Sequence, residues 1–267
     1  MISQFLTADT AEQAVGMKEI GGLFLAGGTE INRLGAENTA DTLISVRRIH
    51  QLKTVDNHDG SVHIGSGLTF QEALEHAGVP AYLKEALRFM GSRTKRNMAT
   101  IGGNVAVRRT DSYLLATLTA VSAELVMMDH SAQVYRISLD DYLKDTRCAG
   151  DLILRVVVPE TVDFAASKRY ANTVESHSGL VVSMAVRGGR FRIGLAVRDC
   201  GLYDAVSLAG ACEADPAITE EALLAQVVGT GWITQDSRVY GSAAYRNYLI
   251  AVTLRRMLDE LLKGGRS

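Results

Sequence analysis

In Arg93-Thr-Lys-Arg-Asn-Met-Ala-Thr-Ile-Gly-Gly-Asn104, two adjacent glycines and an amide side chain follow a run of basic residues. A second glycine pair stands earlier, in Leu25-Ala-Gly-Gly-Thr-Glu30, directly after a short apolar run. Either pair alone would indicate only a turn. Glycines at the end of a strand let backbone N–H groups converge on an anion, because no β-carbon blocks the approach. We therefore expect the fold to bring the two loops together, so that they hold the two phosphates of one dinucleotide.

The composition excludes several classes of protein. The chain has 267 residues, of which 47% are hydrophobic, so it can bury a sizeable core in one large domain or, as we favour, in two smaller ones. Its 28 basic and 30 acidic residues nearly balance, which gives no overall field for nucleic acid or anionic membranes. The N-terminus lacks the pattern of a signal peptide, and no segment reaches the ~18 apolar residues of a spanning helix. We expect a cytoplasmic location.

The cysteines and histidines do not indicate a metal site or a disulfide framework. Cys148, Cys200 and Cys212 are far apart and form no Cys-x-x-Cys spacing. The six histidines are equally scattered, without a His-x-x-x-His pair. We expect reduced structural thiols, no metal on this chain and no iron–sulfur cluster.

The first part of the chain alternates helices and strands. Thr10 and Gln13 form a capping-box pattern, which predicts a first helix that runs to about Gly21. The patterns then predict strands at 23–26, 42–46, 62–65 and 151–158, a helix from Pro80 to Met90, an apolar helix over 112–123, and a hairpin of 124–128 with 133–137. The strand, glycine loop and strand within the first fifty residues indicate a small α/β unit.

The pattern changes after Pro159, which makes 159–164 the best candidate for a domain boundary. Strand-like segments at 180–186 and 191–197 are joined by Arg187-Gly-Gly-Arg190 in the manner of a hairpin. Helical patterns follow at 219–228 and 243–262. We expect a small antiparallel sheet with helices on one side.

Three motifs together resemble a known family, the FAD-binding (medium) subunit of the molybdenum hydroxylases, which includes xanthine dehydrogenase and carbon monoxide dehydrogenase. The first flavin loop of that family is similar to Ala26-Gly-Gly-Thr-Glu30, and the second to Arg96-Asn-Met-Ala-Thr-Ile-Gly-Gly-Asn104. The last helix of the family opens in a way that resembles Gly241-Ser-Ala-Ala-Tyr-Arg246. The three occur in the family's order and span nearly the whole chain.

This resemblance implies a fold of the α+β class. It comprises a two-part α/β FAD-binding domain of the vanillyl-alcohol-oxidase (PCMH) type at 1–160, with subdomains of about 1–55 and 56–160, and a small α+β C-terminal domain with an antiparallel sheet at 161–267. It also implies cofactor-binding residues near the pyrophosphate, ribityl chain and flavin ring: Phe24, Leu25, Ala26, Gly27, Gly28, Thr29, Glu30, Ile31, Thr100, Ile101, Gly102, Gly103, Asn104, Ile153 and Lys168. Arg96 and Asn97 are expected to hold the loop that carries the second glycine pair rather than to touch the cofactor.

The sequence departs from the family pattern after Asn104. The family usually continues with Ser-Pro-x-x-Asp, but here Thr110 stands at the proline and Tyr113 at the acid. Asp111 is the nearest acid, two residues early, and is our candidate for the cofactor-binding acid. Weaker FAD binding, or a subunit without flavin, is therefore kept as an alternative.

The function implied by the resemblance is electron relay. FAD accepts electrons from [2Fe-2S] clusters on a partner subunit and passes them to NAD or another acceptor, while a large molybdopterin subunit oxidises a purine or related aromatic heterocycle. The protein positions the flavin, so no residue is nominated as a catalytic acid or base. Two alternatives remain open: a self-contained flavin reductase or oxidase of the same superfamily, and an assembly subunit without flavin.

Overall fold

The computed structural model describes residues 2–18, 22–32 and 40–264. In these residues the strands are β1 (Gln4–Thr7), β2 (Leu23–Leu25), β3 (Thr42–Ser45), β4 (Val55–His58), β5 (Ser61–Gly65), β6 (Glu124–Met128), β7 (Val134–Ser138), β8 (Leu152–Pro159), β9 (Phe164–Tyr170), β10 (Leu180–Arg187), β11 (Arg190–Val197) and β12 (Gly201–Asp204). The α-helices are α1 (Ala11–Gly16), α2 (Phe70–Glu75), α3 (Ala81–Arg88), α4 (Arg93–Arg96), α5 (Ile101–Ala106), α6 (Leu115–Ala120), α7 (Leu139–Lys144), α8 (Val206–Ala214), α9 (Glu220–Gly229) and α10 (Ala243–Leu262). Two 3-10 helices lie at His50–Lys53 and Arg147–Gly150.

The chain forms two compact units that do not follow a single cut. The first unit contains the described residues within Met1–Pro80, Met90–Arg108 and Ala123–Glu160. The second contains those within Ala81–Phe89, Arg109–Ser122 and Thr161–Ser267. Two segments from the N-terminal part of the chain, 81–89 and 109–122, therefore pack with the C-terminal part. The family domains 1–160 and 161–267 remain a prediction, since compact units and family domains divide a chain by different criteria.

The first unit contains two sheets. β1 and β2 flank β3 in a three-stranded parallel sheet, and five strands form an antiparallel sheet in the order β4-β5-β8-β6-β7. The Thr10 hydroxyl accepts the N–H of Gln13 and starts α1, whose buried face includes Ala14 and packs with Ile44 of β3. The predicted α/β unit and the 124–137 hairpin are confirmed. The first helix ends at Gly16, before the predicted end at Gly21, which lies outside the described residues.

The second unit is built on a four-stranded antiparallel sheet in the order β12-β11-β10-β9. One face carries the core with α8, α9 and α10, including Val182 and Met184 of β10. The other face packs on α6 and α3, where Val181 lies with Ala116 and Phe89. The helices of residues 161–267 lie on one side of the sheet, as expected, and the helices on the other side come from earlier in the chain. β10 is buried at every position from Leu180 to Val186, as in a strand covered on both faces.

Two local predictions also need correction. The stretch Thr100–Asn104 is the cap and first turn of α5, not a loop, because the Thr100 hydroxyl accepts the N–H of Gly103 and starts a helix there. The apolar helix predicted over 112–123 is limited to α6. In the described part of the chain, no helix has both the length and the apolar character required to cross a membrane.

Candidate functional site

The first glycine loop follows β2 and leaves backbone donors unused. The Leu25 carbonyl accepts the N–H of Val46 at 3.0 Å, which ties the end of β2 to β3. The backbone then turns through Gly28, whose φ of 72° lies in the left-handed region that favours glycine, and the Gly28 carbonyl accepts the N–H of Asn32 at 3.0 Å. Among the described residues, the N–H groups of Gly27, Gly28 and Thr29 have no hydrogen-bond acceptor. Such a turn with free N–H groups can receive an anion.

The second motif lies directly against this loop. A β-carbon at Gly27 would overlap the carbonyl oxygen of Met98 and lie 2.7 Å from its carbonyl carbon, so the two backbones approach more closely than any side chain allows. The expected meeting of the two glycine motifs is therefore observed. The contact is made by the backbone before Thr100.

The second glycine pair is closely packed, and the N–H groups at this end of α5 already have acceptors. The N–H of Ile101 donates to the Leu68 carbonyl at 2.9 Å, and that of Gly102 donates to the Ser66 carbonyl at 2.8 Å. A β-carbon at Gly102 would lie 2.5 Å from the Ser66 β-carbon, so glycine is required for this approach. With the N–H of Gly103 held by Thr100, these first donors of α5 are already used. The expectation that both loops present free donors is confirmed only for the first.

Arg96 holds the segment that carries the second motif. Its Nη1 donates to the carbonyls of Met90 and Gly91 at 2.7 and 2.9 Å, and its Nε donates to Gln71 Oε1 at 3.0 Å. The side chain therefore joins α4 to α2 and to the turn before α4. This agrees with the expectation that Arg96 positions the loop.

The other sequence-predicted residues have varied surroundings. Phe24 lies 4.8 Å from the Nζ of Lys18, measured to the ring centroid. Burial lowers the pKa of Lys18, although the charge of Asp151 opposes this shift. Leu25, Ala26, Thr29, Glu30, Ile31 and Asn104 are half-buried, whereas Ile153 is buried in β8. These residues belong to the first unit, whereas Lys168, exposed on β9, and Asp111 belong to the second.

The pattern of the whole chain places it among known proteins. The family described as "FAD binding domain in molybdopterin dehydrogenase" matches residues 2–161. The chain belongs to this molybdopterin dehydrogenase FAD-binding family. The family explains why both glycine motifs and their close contact occur in one chain, and it confirms FAD as the cofactor of this type of domain.

Relatives of this FAD-binding family member extend along most of its length. The uncharacterized protein YgfM of Escherichia coli K12 is 29% identical over 276 residues, covering 99% of this chain and 98% of YgfM. The nicotinate dehydrogenase FAD-subunit of Eubacterium barkeri is 23% identical over 228 residues, covering 78% and 74% of the two chains.

Solved structures confirm the mixed α/β fold with antiparallel sheets. A chain of quinoline 2-oxidoreductase from Pseudomonas putida 86 matches with a TM-score of 0.82 at 17% identity, covering 99% of this chain and 98% of that one. A chain of carbon monoxide dehydrogenase from Hydrogenophaga pseudoflava matches with a TM-score of 0.84 at 19% identity, with the same coverage.

The acid nearest to the family's usual position is bound into an ion cluster. Asp111 is 3% exposed, and both of its carboxylate oxygens accept from Arg109, at 2.7 Å from Nε and 2.6 Å from Nη2. Arg198 Nη1 lies 3.2 Å and His177 Nδ1 3.7 Å from Asp111 Oδ2. Burial alone would raise the pKa of Asp111, but the hydrogen bonds and charge of Arg109, with the charges of His177 and Arg198, lower it overall. A contact between this acid and FAD stays a prediction.

Tyr113, which stands where the family has its acid, is also buried. Its ring stacks with that of His177, with 6.4 Å between the centroids, and Arg169 lies 5.7 Å from the Tyr113 ring centroid. Sequence reasoning missed Arg109, His177 and Arg198, because their meeting depends on the pairing of segments far apart in the chain. Two adjacent arginines before an unexpected acid were the one available signal.

The residues of the first unit fit the FAD that this family binds. The free N–H groups of the first loop provide donors for phosphate oxygens, and Gly27 holds that loop against the second motif. The N-terminal end of α5 can contribute packing surface to the site, since its first N–H donors already have acceptors within the protein. Among the described residues there is no group of three or more His, Cys, Asp or Glu side chains that could hold a metal.

Proposed function

We propose that this protein is the FAD-binding electron-transfer subunit of a molybdenum-containing hydroxylase or dehydrogenase complex. The observation that carries the proposal is the first loop, which lies against the backbone of the second motif and has three N–H groups without an acceptor among the described residues, in a chain of the molybdopterin dehydrogenase FAD-binding family. Residues 24–31 and 100–104 hold the pyrophosphate and ribityl chain in this proposal. Ile153 and Lys168 lie near the flavin ring system in this proposal, and Asp111 is the candidate acid that binds the cofactor.

The chain's own contribution is to bind and orient the cofactor. The N–H groups of Gly27, Gly28 and Thr29 hold a phosphate group, and the Met98 contact fixes the loop that presents them. Arg96 keeps the second motif in place through backbone carbonyls. FAD, when bound, supplies the redox chemistry, so we assign no acid or base to this chain.

The proposal requires partner subunits. The three cysteines are widely spaced, and no local cysteine pattern for an iron–sulfur cluster occurs in the sequence. An iron–sulfur subunit delivers the electrons, a molybdopterin subunit oxidises a purine or related aromatic heterocycle, and NAD or another acceptor takes the electrons away. A relative described as the FAD-subunit of nicotinate dehydrogenase supports such an assembly and the class of heterocyclic substrates.

Stopped-flow measurement of flavin reduction tests the relay. The isolated FAD-loaded protein should not be reduced by the heterocycle, and the same protein should be reduced after the iron–sulfur and molybdenum subunits are added. A complex reconstituted with the Gly27→Ala variant, which disturbs the loop contact, should relay electrons poorly. Reduction of the isolated protein by the heterocycle would contradict the proposal and favour a self-contained oxidase.

The flavin content of the purified protein tests the remaining alternative, an assembly subunit without flavin. A flavin absorbance spectrum with about one FAD per chain supports the proposal. Protein that neither retains nor takes up added FAD would instead support an assembly subunit without flavin.

A further inference from the structure

The second unit contains a charged cavity, and Asp111 is the one residue of its lining that the proposed relay uses. The cavity measures 280 Å³ and is lined by Arg109, Thr110, Asp111, Arg198 and Asp199. All five residues belong to the second unit, whereas the glycine motifs belong to the first. Four of the five side chains carry a formal charge, and the fifth carries a hydroxyl group. The lining is therefore suited to a polar ligand.

The buried part of the cavity has an excess of positive charge. The single carboxylate of Asp111 is shared by the guanidinium groups of Arg109 and Arg198, at 2.6 and 3.2 Å, and lies near His177. One negative charge thus faces two permanent positive charges. Asp199 adds a second carboxylate, but its side chain is 69% exposed and lies 3.9 Å from Arg198 Nε. At that distance and exposure it neutralises Arg198 only weakly.

One edge of the Arg198 guanidinium remains available. Its Nη1 donates to Tyr240 Oη at 3.2 Å and faces Asp111 at 3.2 Å. In the described part of the chain, Nη2 has no acceptor, and Nε has only the distant carboxylate of Asp199. Nε and Nη2 together form the planar fork that binds two oxygens of a carboxylate or phosphate. The Thr110 hydroxyl, also on the lining, has no hydrogen-bond partner among the described residues.

We propose that this cavity binds a small oxyanion, the phosphate or carboxylate group of a ligand. The Nε–Nη2 edge of Arg198 binds two oxygens, the Thr110 hydroxyl donates to one of them, and the exposed carboxylate of Asp199 turns into solvent to make room. Arg109 stays paired with Asp111 and supplies part of the positive charge. This site goes beyond the proposed relay, which assigns no role to Arg198 or Thr110.

Calorimetric titration of the full chain with inorganic phosphate tests the site, with sodium acetate as the carboxylate probe and sodium chloride keeping the ionic strength constant. Arg198→Gln should weaken binding of the preferred anion about tenfold or more, because it removes a charged fork. Thr110→Val should weaken it about threefold to tenfold, while leaving the ion cluster intact. Arg190→Gln is the matched control, since Arg190 is 83% exposed and pairs with Glu213 away from the cavity.

Asp199→Asn provides a gain of binding that a purely structural cluster would not show. Asparagine tolerates the left-handed backbone at this position, where φ is 64°, and removes the competing carboxylate. Binding should tighten by about threefold. Preference for phosphate over acetate identifies a phosphoryl ligand, and the reverse identifies a carboxylate ligand.

Three results would overturn the site. They are no saturable binding of either anion beyond the chloride baseline, unchanged affinity in both Arg198→Gln and Thr110→Val, or weaker binding in Asp199→Asn. If Arg198→Gln does not fold, Thr110→Val and Asp199→Asn decide the question. Repeating the titration on protein freed of flavin distinguishes this result from failure of the FAD proposal.

Discussion

At Gly27 the molecule requires the absence of a side chain. The contact with the Met98 carbonyl places two backbones against each other, so the shape of the first loop depends on the second motif. A resemblance between motifs marks both loops as important, but it does not reveal that one of them holds the other. Gly27 thus fixes the position of the N–H donors that it shares with Gly28 and Thr29.

Gly27→Ala should therefore weaken FAD binding without preventing folding. Overpacking of this kind costs about 1–3 kcal/mol, which corresponds to roughly fivefold to 150-fold weaker binding if the loop alone is displaced. Gly16→Ala is the matched control in the same unit, since a β-carbon there meets no atom within 4 Å. FAD content and affinity, measured by absorbance and fluorescence titration, check the result. Normal FAD affinity in Gly27→Ala would remove this contact from the site.

Asp111 leads to a prediction about pH. Its folded-state pKa is lowered, so its contribution to the free energy of unfolding is present above the unfolded-state pKa of about 3.9 and is lost as the pH falls through the folded-state value. Asp111→Asn should destabilise the protein by about 1–3 kcal/mol near pH 7, since it leaves Arg109 and Arg198 without their shared carboxylate. Urea unfolding of both proteins should show this difference shrinking below about pH 4. A difference that does not change with pH would argue against an ionised Asp111.

At the scale of elements, the short helix α4 links the turn at 90–91 to the second motif. Its two outer arginines have different surroundings. Arg96 is half-buried and donates to backbone carbonyls, whereas the side chain of Arg93 is 73% exposed and lies 3.9 Å from Glu75. The pair provides a built-in comparison between a positioning residue and a surface charge.

Arg96→Ala should lower FAD affinity by about threefold to tenfold through movement of the second motif. The salt dependence of FAD affinity in this variant should match that of the wild type, because the Arg96 guanidinium group binds backbone carbonyls and does not contact phosphate. Arg93→Ala should have no measurable effect on either quantity. Fluorescence titration at two salt concentrations checks this, and a changed salt dependence in Arg96→Ala would indicate a direct phosphate contact instead.

Sequence patterns predicted some elements well and missed others for identifiable reasons. The helix predicted over 243–262 agrees with α10, because Ser242 caps its N-terminus and apolar residues recur along one face at helical spacing. α5 was missed because two glycines lower helix propensity, and the Thr100 cap outweighs that signal locally. The two-sided cover of β10 could have been predicted from the unbroken run Leu180-Val-Val-Ser-Met-Ala-Val186. The Asp111 cluster could not, since it joins 109–111 to 177 and 198.

At the scale of the whole molecule, the second unit draws on three separate parts of the chain. The face of its sheet that includes Val181 and Ala196 is covered by Ala116 and Phe89, which lie outside 161–267. A division of the sequence at residue 160 would leave that face bare. An exposed apolar face of this kind favours aggregation.

A fragment of residues 161–267 should therefore not fold into a stable domain by itself. We expect strong binding of a hydrophobic dye and a broad, non-cooperative thermal transition, measured by fluorescence and circular dichroism. The intact chain is the control and should show a cooperative transition with little dye binding. A soluble fragment that unfolds cooperatively would show that α3 and α6 are dispensable for the sheet.

The alternation of the two units along the chain also has a consequence for synthesis on the ribosome. The nascent chain passes from one unit to the other after residues 80, 89, 108, 122 and 160. α3, with Leu83 and Leu87 buried in the finished protein, emerges early, but β9, the strand on which it packs, is complete only at Tyr170. At about 5–20 residues per second, roughly eighty residues of translation leave the apolar face of α3 uncovered for about 4–16 s. During this interval the nascent chain exposes an apolar surface, so we expect the yield of folded protein in cells to depend on chaperones that bind nascent chains.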